Sequence, residues 1–260
     1  MLIDSHCHLD FPALAKDREG VLARARDAGI GRMLNVCTRR HEFVSLRATA
    51  EQNVDVFFSL GVHPHHVSEP GEEITVEELV EAAQHPKAIA IGETGLDYFY
   101  DRSPRDAQER SFRNHIRAAK EADLPVIIHS RDAEEDTLRI LKEEGCNSGV
   151  LHCFSSRRFL AEEGLVLGLY VSFSGMLTFK KSEELRYVAR DIPFDRLLVE
   201  TDAPFLAPEP YRGKICEPAY VVKTAEALAT TKGMGLNEMA RQTTVNFFRL
   251  FRKCPPEALK

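Results

Sequence analysis

Eight short runs rich in aliphatic and β-branched residues recur along the chain, separated by segments with helical spacing. They are Leu2–Ser5, Arg32–Cys37, Val54–Leu60, Ala88–Gly92, Val126–His129, Gly149–His152, Tyr170–Ser174 and Leu197–Thr201. Alternation of strand and helix dictates right-handed crossovers and a parallel sheet. Eight such units favour closure into a (β/α)8 barrel, an α/β fold, over an open doubly wound sheet. The helical segments carry their own punctuation. Arg18–Ala28 ends at Gly29, His41–Gln52 aligns Phe43, Leu46 and Ala50 on one stripe, and Thr75-Val-Glu-Glu78 reads as a capping box. Ser103-Pro104 predicts an N-cap followed by proline at the first helical position. Asp136–Glu144 stops at Gly145, and Arg157–Glu163, Ser182–Arg190, Pro218–Thr230 and Asn237–Phe251 complete the set.

At 260 residues, one barrel domain accounts for the whole span 1–260. No linker or repeat interrupts it, and Cys254–Lys260 reads as a frayed tail. The net charge of −6 excludes a uniformly basic nucleic-acid coat but leaves room for a local basic mouth. The six cysteines form no CxxC motif and no paired spacing, as expected of reduced thiols in the cytoplasm. Asp4 and His6 interrupt any leader-like apolar start, and no apolar run approaches about 18 residues. The expectation is an unexported protein with no membrane partner and no obligate protein partner.

The polar residues fall where the strands end. The first run leads into His6 and His8, which share a face because strand side chains alternate. The third leads to His63, the fourth to Glu93, the fifth ends in His129, the sixth in His152, and the eighth in Glu200 and Asp202. In a barrel these carboxyl ends share one rim, where strands distant in sequence converge. His6, His8, His129 and His152 with Glu93 and Asp202 exceed the needs of one tetrahedral ion. Two divalent ions bridged by Glu93 are the economical reading, and by ligand type Zn, Mn or Co suits the imidazoles. Asp202 is placed either to take a proton from the attacking water or to serve purely as a ligand. His63 is assigned to substrate, and Glu200 to orienting a ligand. His41, His65, His66, His85 and His115 read as structural or solvent-facing, and Cys153 as turned into packing.

Cations follow several strand ends: Arg39, Arg40, Arg102, Arg105, Arg131, Arg157, Arg158, Lys180, Lys181, Arg212 and Lys214. Acidic residues such as Asp55, Glu144 and Asp191 occupy the opposite connections, which predicts a basic rim and an acidic base. Arg131, two residues past His129, is the strongest phosphate candidate. Such a rim suits the end of DNA or a short single strand better than a long duplex track.

The stretches HCHLD, GVHP, GETGLDYFYD, HSRDA, LHCFS, SFSG, LLVETDAPFL and PYRGK, in this order, resemble the TatD family of metal-dependent deoxyribonucleases. The resemblance runs from Ile3 to about Phe248 and is nearest to the branch of uncharacterised TatD-type hydrolases. It implies a TIM barrel of the metallo-dependent hydrolase type and a two-metal site of His6, His8, Glu93, His129, His152 and Asp202. It also implies phosphodiester hydrolysis, with 3′-to-5′ exonuclease action on DNA and possibly RNA, and an activity tied to Mg. Related members suggest an alternative on an acyl bond, such as deacylation of D-aminoacyl-tRNA. A vestigial binding barrel would lack Glu93 or Asp202, and both are present. Where the family usually carries Asn after the RGK run, Cys216 stands in RGKICEPAY, so no role is carried over to that position.

Overall fold

The computed structural model describes residues 1–256. Among them eight strands pair in parallel in chain order: β1 (Leu2–Cys7), β2 (Ile30–Asn35), β3 (Val56–Leu60), β4 (Ala88–Asp97), β5 (Val126–Arg131), β6 (Gly149–Leu151), β7 (Tyr170–Phe173) and β8 (Leu197–Val199). The seam between β1 and β8 closes just past the end of β8. There the His8 amide donates to Ala203 O at 2.8 Å and the Asp202 amide to His6 O at 2.9 Å. The Ser5 hydroxyl adds a bond to Val199 O at 3.0 Å.

Ten α-helices surround the strands among the described residues: α1 (Pro12–Ala15), α2 (Arg18–Asp27), α3 (Phe43–Gln52), α4 (Val76–Ala82), α5 (Arg105–Glu121), α6 (Glu134–Glu143), α7 (Arg158–Val166), α8 (Glu183–Asp191), α9 (Val221–Lys232) and α10 (Leu236–Leu250). Two buried apolar clusters hold the layers together. The larger lies between sheet and helices. The smaller takes Ile3, Phe57, Ile127, Val150 and Leu198 from near the starts of their strands and packs them with Phe247 and Phe251 at the end of α10. Apolar packing thus fills the end where strands begin and leaves the carboxyl ends free for polar chemistry.

Several expectations shift at their boundaries. β4 runs on to Asp97 instead of stopping at Gly92, and β2 begins at Ile30 and ends at Asn35. Gly95 allows the longer β4. Its φ is +139°, and a Cβ there would lie 2.0 Å from His129 O, so only glycine lets β4 approach β5 this closely. The capping box at α4 forms as read, with Thr75 accepting from the Glu78 amide at 3.2 Å. Ser103 does not cap α5. Pro104 occupies that position, and the Ser103 hydroxyl donates to His65 O at 3.1 Å. Cys254 is no part of a frayed tail, because it is buried against α10 with 1% of its surface exposed. The last four residues of that expected tail, 257–260, lie outside the described residues. Among the described residues no helix is long and apolar enough to cross a membrane.

Candidate metal centre

The end of β1 carries His6 and His8, whose Nε2 atoms lie 3.2 Å apart. Around them stand two carboxylates. Glu93 Oε2 is 3.4 Å from His6 Nε2 and 3.9 Å from His8 Nε2, while Asp202 Oδ1 is 3.7 Å and 3.4 Å away. A tetrahedral cation bound at about 2.1 Å would hold its ligand atoms about 3.4 Å apart, and each carboxylate oxygen stands at about that spacing from the two imidazole nitrogens.

The other oxygen of Glu93 faces a second group. Glu93 Oε1 lies 2.7 Å from His152 Nε2, 3.1 Å from His129 Nδ1 and 3.3 Å from His63 Nε2. One carboxylate therefore presents an oxygen to each of two imidazole clusters. Three sets of donor atoms fall within ion-binding range of one another: His6, His8 and Glu93; His6, His152 and Asp202; and His63, Glu93 and His129. His63, expected on the substrate, thus stands with the second imidazole group.

Three of the imidazoles, those of His8, His129 and His152, are oriented from behind, which selects the nitrogen that faces inward, whereas His6 Nδ1 is buried without a partner. His8 Nδ1 bonds Val36 O at 3.0 Å, His129 Nε2 bonds Asp97 Oδ2 at 3.1 Å, and His152 Nδ1 bonds Glu200 Oε1 at 3.3 Å. Glu200 sits where its expected orienting role requires. Asp97 is a functional candidate that the sequence reading missed. It accepts from His65 as well, at 2.8 Å, and from the Tyr100 amide at 2.8 Å. The same strand alternation that grouped His6 with His8 puts Glu93, Gly95 and Asp97 on one face, once β4 is allowed to continue.

These donors fit divalent cations. His152 Nε2 is buried without a hydrogen-bond partner despite its closeness to Glu93, as a lone pair awaiting a metal would be. Burial alone would raise the Glu93 carboxyl, yet the imidazoles of His152 and His63 hold it well below the usual range. Burial opposes ionisation of Asp202 too, and the hydrogen bond to His8 keeps its carboxyl low. Burial pushes His63 down to about 3, and burial with the nearby His152 lowers His6. For His8, His129 and His152 burial acts the same way, but the adjoining carboxylates overcome it and raise them. A ligating nitrogen must be unprotonated, so metal binding at these imidazoles competes with protons.

Both groups lie on the floor of a cavity of about 930 Å³, whose walls include Phe11, Phe99, Tyr100, Arg131 and Phe205. Arg131 lies over the rings of Phe99 and Tyr100, at 4.1 and 4.7 Å. Arg212 does not line the cavity. It is exposed on the neighbouring loop with its guanidinium 3.7 Å from the centroid of Phe179. His65, His66 and Cys153, read as structural, line the wall. Cys153 turns there because its φ is +43°, which ends the strand alternation after His152. The buried Cys216 supplies an amide to Pro204 O at 3.0 Å and is a loop-packing residue.

The basic rim is only partly free. Arg39 pairs with Glu69, Arg40 with Glu78, Arg105 with Asp101, Arg157 with Glu135 and Arg158 with Asp191. Among the described residues, Arg102, Arg131, Lys180, Lys181, Arg212 and Lys214 have no ion-pair partner. The acidic base is neutralised likewise, Asp55 by Arg26 and Glu144 by Arg117.

A closed parallel barrel with buried imidazoles and carboxylates at the carboxyl ends of its strands has the form of a metal-dependent hydrolase. The model of the TatD related DNase family matches residues 3–252, and the chain belongs to that family. It is 46% identical over 255 residues to the uncharacterized metal-dependent hydrolase YcfH of Escherichia coli (strain K12), covering 96% of this chain and 95% of that one. It is 37% identical over 258 residues to the 3'-5' ssDNA/RNA exonuclease TatD of Erwinia tasmaniensis, covering 96% and 99%. The crystal structure of YjjV, a TatD homolog from Escherichia coli K12, matches with a TM-score of 0.90 at 31% identity, covering 96% of this chain and 98% of that one. The chain is a metal-dependent hydrolase of the TatD family, in keeping with its motifs.

Proposed function

We propose that this hydrolase is a two-metal phosphodiesterase that trims single-stranded DNA from its 3′ end, with RNA as a further substrate. The observation that carries the reading is the division of Glu93, one oxygen toward His6 and His8 and the other toward His129 and His152. His6, His8, Glu93 and Asp202 would hold one ion, and Glu93, His129 and His152 a second, with His63 at its edge. When bound, paired Mg, Mn or Zn ions would supply charge stabilisation for the phosphate and a lowered pKa for the attacking water.

The chain's own residues do the rest. Asp202 is partly open to the cavity, with 16% of its side chain exposed, and is placed to accept the water's proton. Asp97 and Glu200 hold His129 and His152 in register. Arg131 and Arg102, both in the cavity wall and without ion pairs, are placed to grip the terminal phosphates. Lys180, Lys181 and Arg212 lie on the adjoining loops, where contact between Arg212 and Phe179 brings the three together. They suit the backbone of the strand as it leaves the cavity. A pocket with both ion positions on its floor favours a chain end over a continuous duplex. The name carried by the Erwinia relative agrees with this reading.

The test is a panel of end-labelled oligonucleotides, single- and double-stranded DNA and RNA, together with an aminoacyl-tRNA, assayed with Mg, Mn and Zn. Stepwise shortening of single strands from the 3′ end, abolished by chelator, is the expected result. Release of the amino acid without loss of nucleotides would replace the reading with acyl hydrolysis.

A further inference from the structure

We propose that two pairs of aromatic rings on opposite walls of the cavity, Phe11 with Phe205 and Phe99 with Tyr100, stack the bases on either side of the bond to be cut. The substrate must then end in at least two unpaired bases. This inference rests on the nuclease reading above and adds the parts of the substrate that the site recognises.

The rings call for an explanation. Phe99, Tyr100 and Phe205 are 55%, 48% and 50% exposed, and all three line the cavity that holds the ligand groups. Scattered exposed aromatics are ordinary on a protein surface, but rings gathered around a polar centre mark a binding wall. Each pair is also built onto one ligand group. Phe11 stacks on His8 with centroids 4.7 Å apart, and Phe205 meets Phe11 edge-on at 5.8 Å. The Phe205 amide is anchored on Asp202 O at 2.9 Å. Across the barrel, the Tyr100 amide bonds Asp97 Oδ1, while Asp97 Oδ2 holds His129. Phe99 then meets Tyr100 edge-on at 4.9 Å.

The topology sets the distance between the pairs. In a ring of eight strands in sequence order, the β8–β1 seam and the β4–β5 pair face each other, and Glu93 lies between. A phosphate held at Glu93 would have one nucleoside toward each wall. The cations beside the rings, Arg131 over Phe99 and Arg102 at 5.3 Å from Tyr100, supply the positive charge that an anionic backbone requires. Stacking tolerates any base, because every base has a π-face, and it demands that the bases be unpaired and splayed.

The experiment compares intact oligonucleotides with ones carrying an abasic residue at the last or the penultimate position. For wild-type protein, an abasic end raises KM about 10-fold with kcat changed much less, the size of one lost base–aromatic stack. Phe205→Ala and Phe99→Ala each raise KM for the intact end by a similar factor and become indifferent to one of the two abasic positions. Phe205→Trp restores wild-type KM. A binding readout runs beside the kinetics: 2-aminopurine placed at either position is quenched by wild-type protein and not by the corresponding alanine variant. Quenching without cleavage would remove the nuclease reading and leave the stacking walls in place. Cleavage of abasic ends at the intact KM, or alanine variants that raise KM equally on intact and abasic substrates, would overturn the stacking proposal while the nuclease reading stood.

Discussion

Glu93 is the residue on which the account turns, because its two oxygens face two different imidazole groups. Glu93→Gln removes a shared negative charge and is expected to abolish turnover while leaving the circular-dichroism spectrum that of the wild type. Residual turnover above a few per cent would assign the bridging role elsewhere. Asp97 gives a subtler test. Removing a carboxylate behind a ligating imidazole typically costs 10- to 100-fold in metal affinity. Asp97→Asn should therefore weaken one class of bound ion by about that factor in competition titrations and leave the other class untouched; equal loss of both would point to a general structural role. At this scale the sequence was informative about the metal-ligand candidates and weak about what supports them. His6, His8, Glu93, His129, His152 and Asp202 were legible because each sits next to an apolar run. Asp97 was not, because Gly92 and Gly95 look like a strand terminus and are instead what lets β4 continue beside β5. His65 likewise looks like a loop residue until Asp97 is seen beside it.

Among the elements, α5 is tied to the segment that follows β3 by a buried imidazole. His115 Nε2 accepts from the Val62 amide at 3.0 Å, and its Nδ1–H donates to Ser111 O at 2.7 Å, so the ring is needed neutral. Burial pushes it down from 6.5 to about 4. As the pH falls below 6.5 the unfolded chain takes up this proton first. Stability is therefore full above 6.5 and is lost progressively toward pH 4, by about 2 kcal/mol between pH 7 and pH 5. Denaturant midpoints at the two pH values should show this loss, and His115→Asn should be less stable at pH 7 with a flatter dependence. An unchanged slope in the variant would clear His115 of the effect. The order of strands and helices was readable because alternation of apolar runs is a local pattern. The pairing of rim charges was not, since Arg39 meets Glu69 and Arg40 meets Glu78 at the start of α4, partners 30 and 38 residues away that only the folded barrel brings together.

For the whole molecule, the net charge of −6 conceals a mouth where a few cations remain unpaired. Activity on oligonucleotides should fall as salt rises, and Arg131→Ala should raise KM several-fold and flatten the salt dependence without loss of bound metal. Turnover indifferent to salt would show that the free cations do not meet the backbone. The barrel itself was foreseeable from eight alternating units, whereas the aromatic walls emerge only when the β8–β1 seam and the β4–β5 pair are seen to oppose each other. The most direct test of the central claim is anomalous diffraction from crystals of the protein grown with Mn. Two peaks about 3.5–4 Å apart, one against each oxygen of Glu93, are the predicted result. A single peak, or two that leave Glu93 outside both coordination spheres, would contradict it.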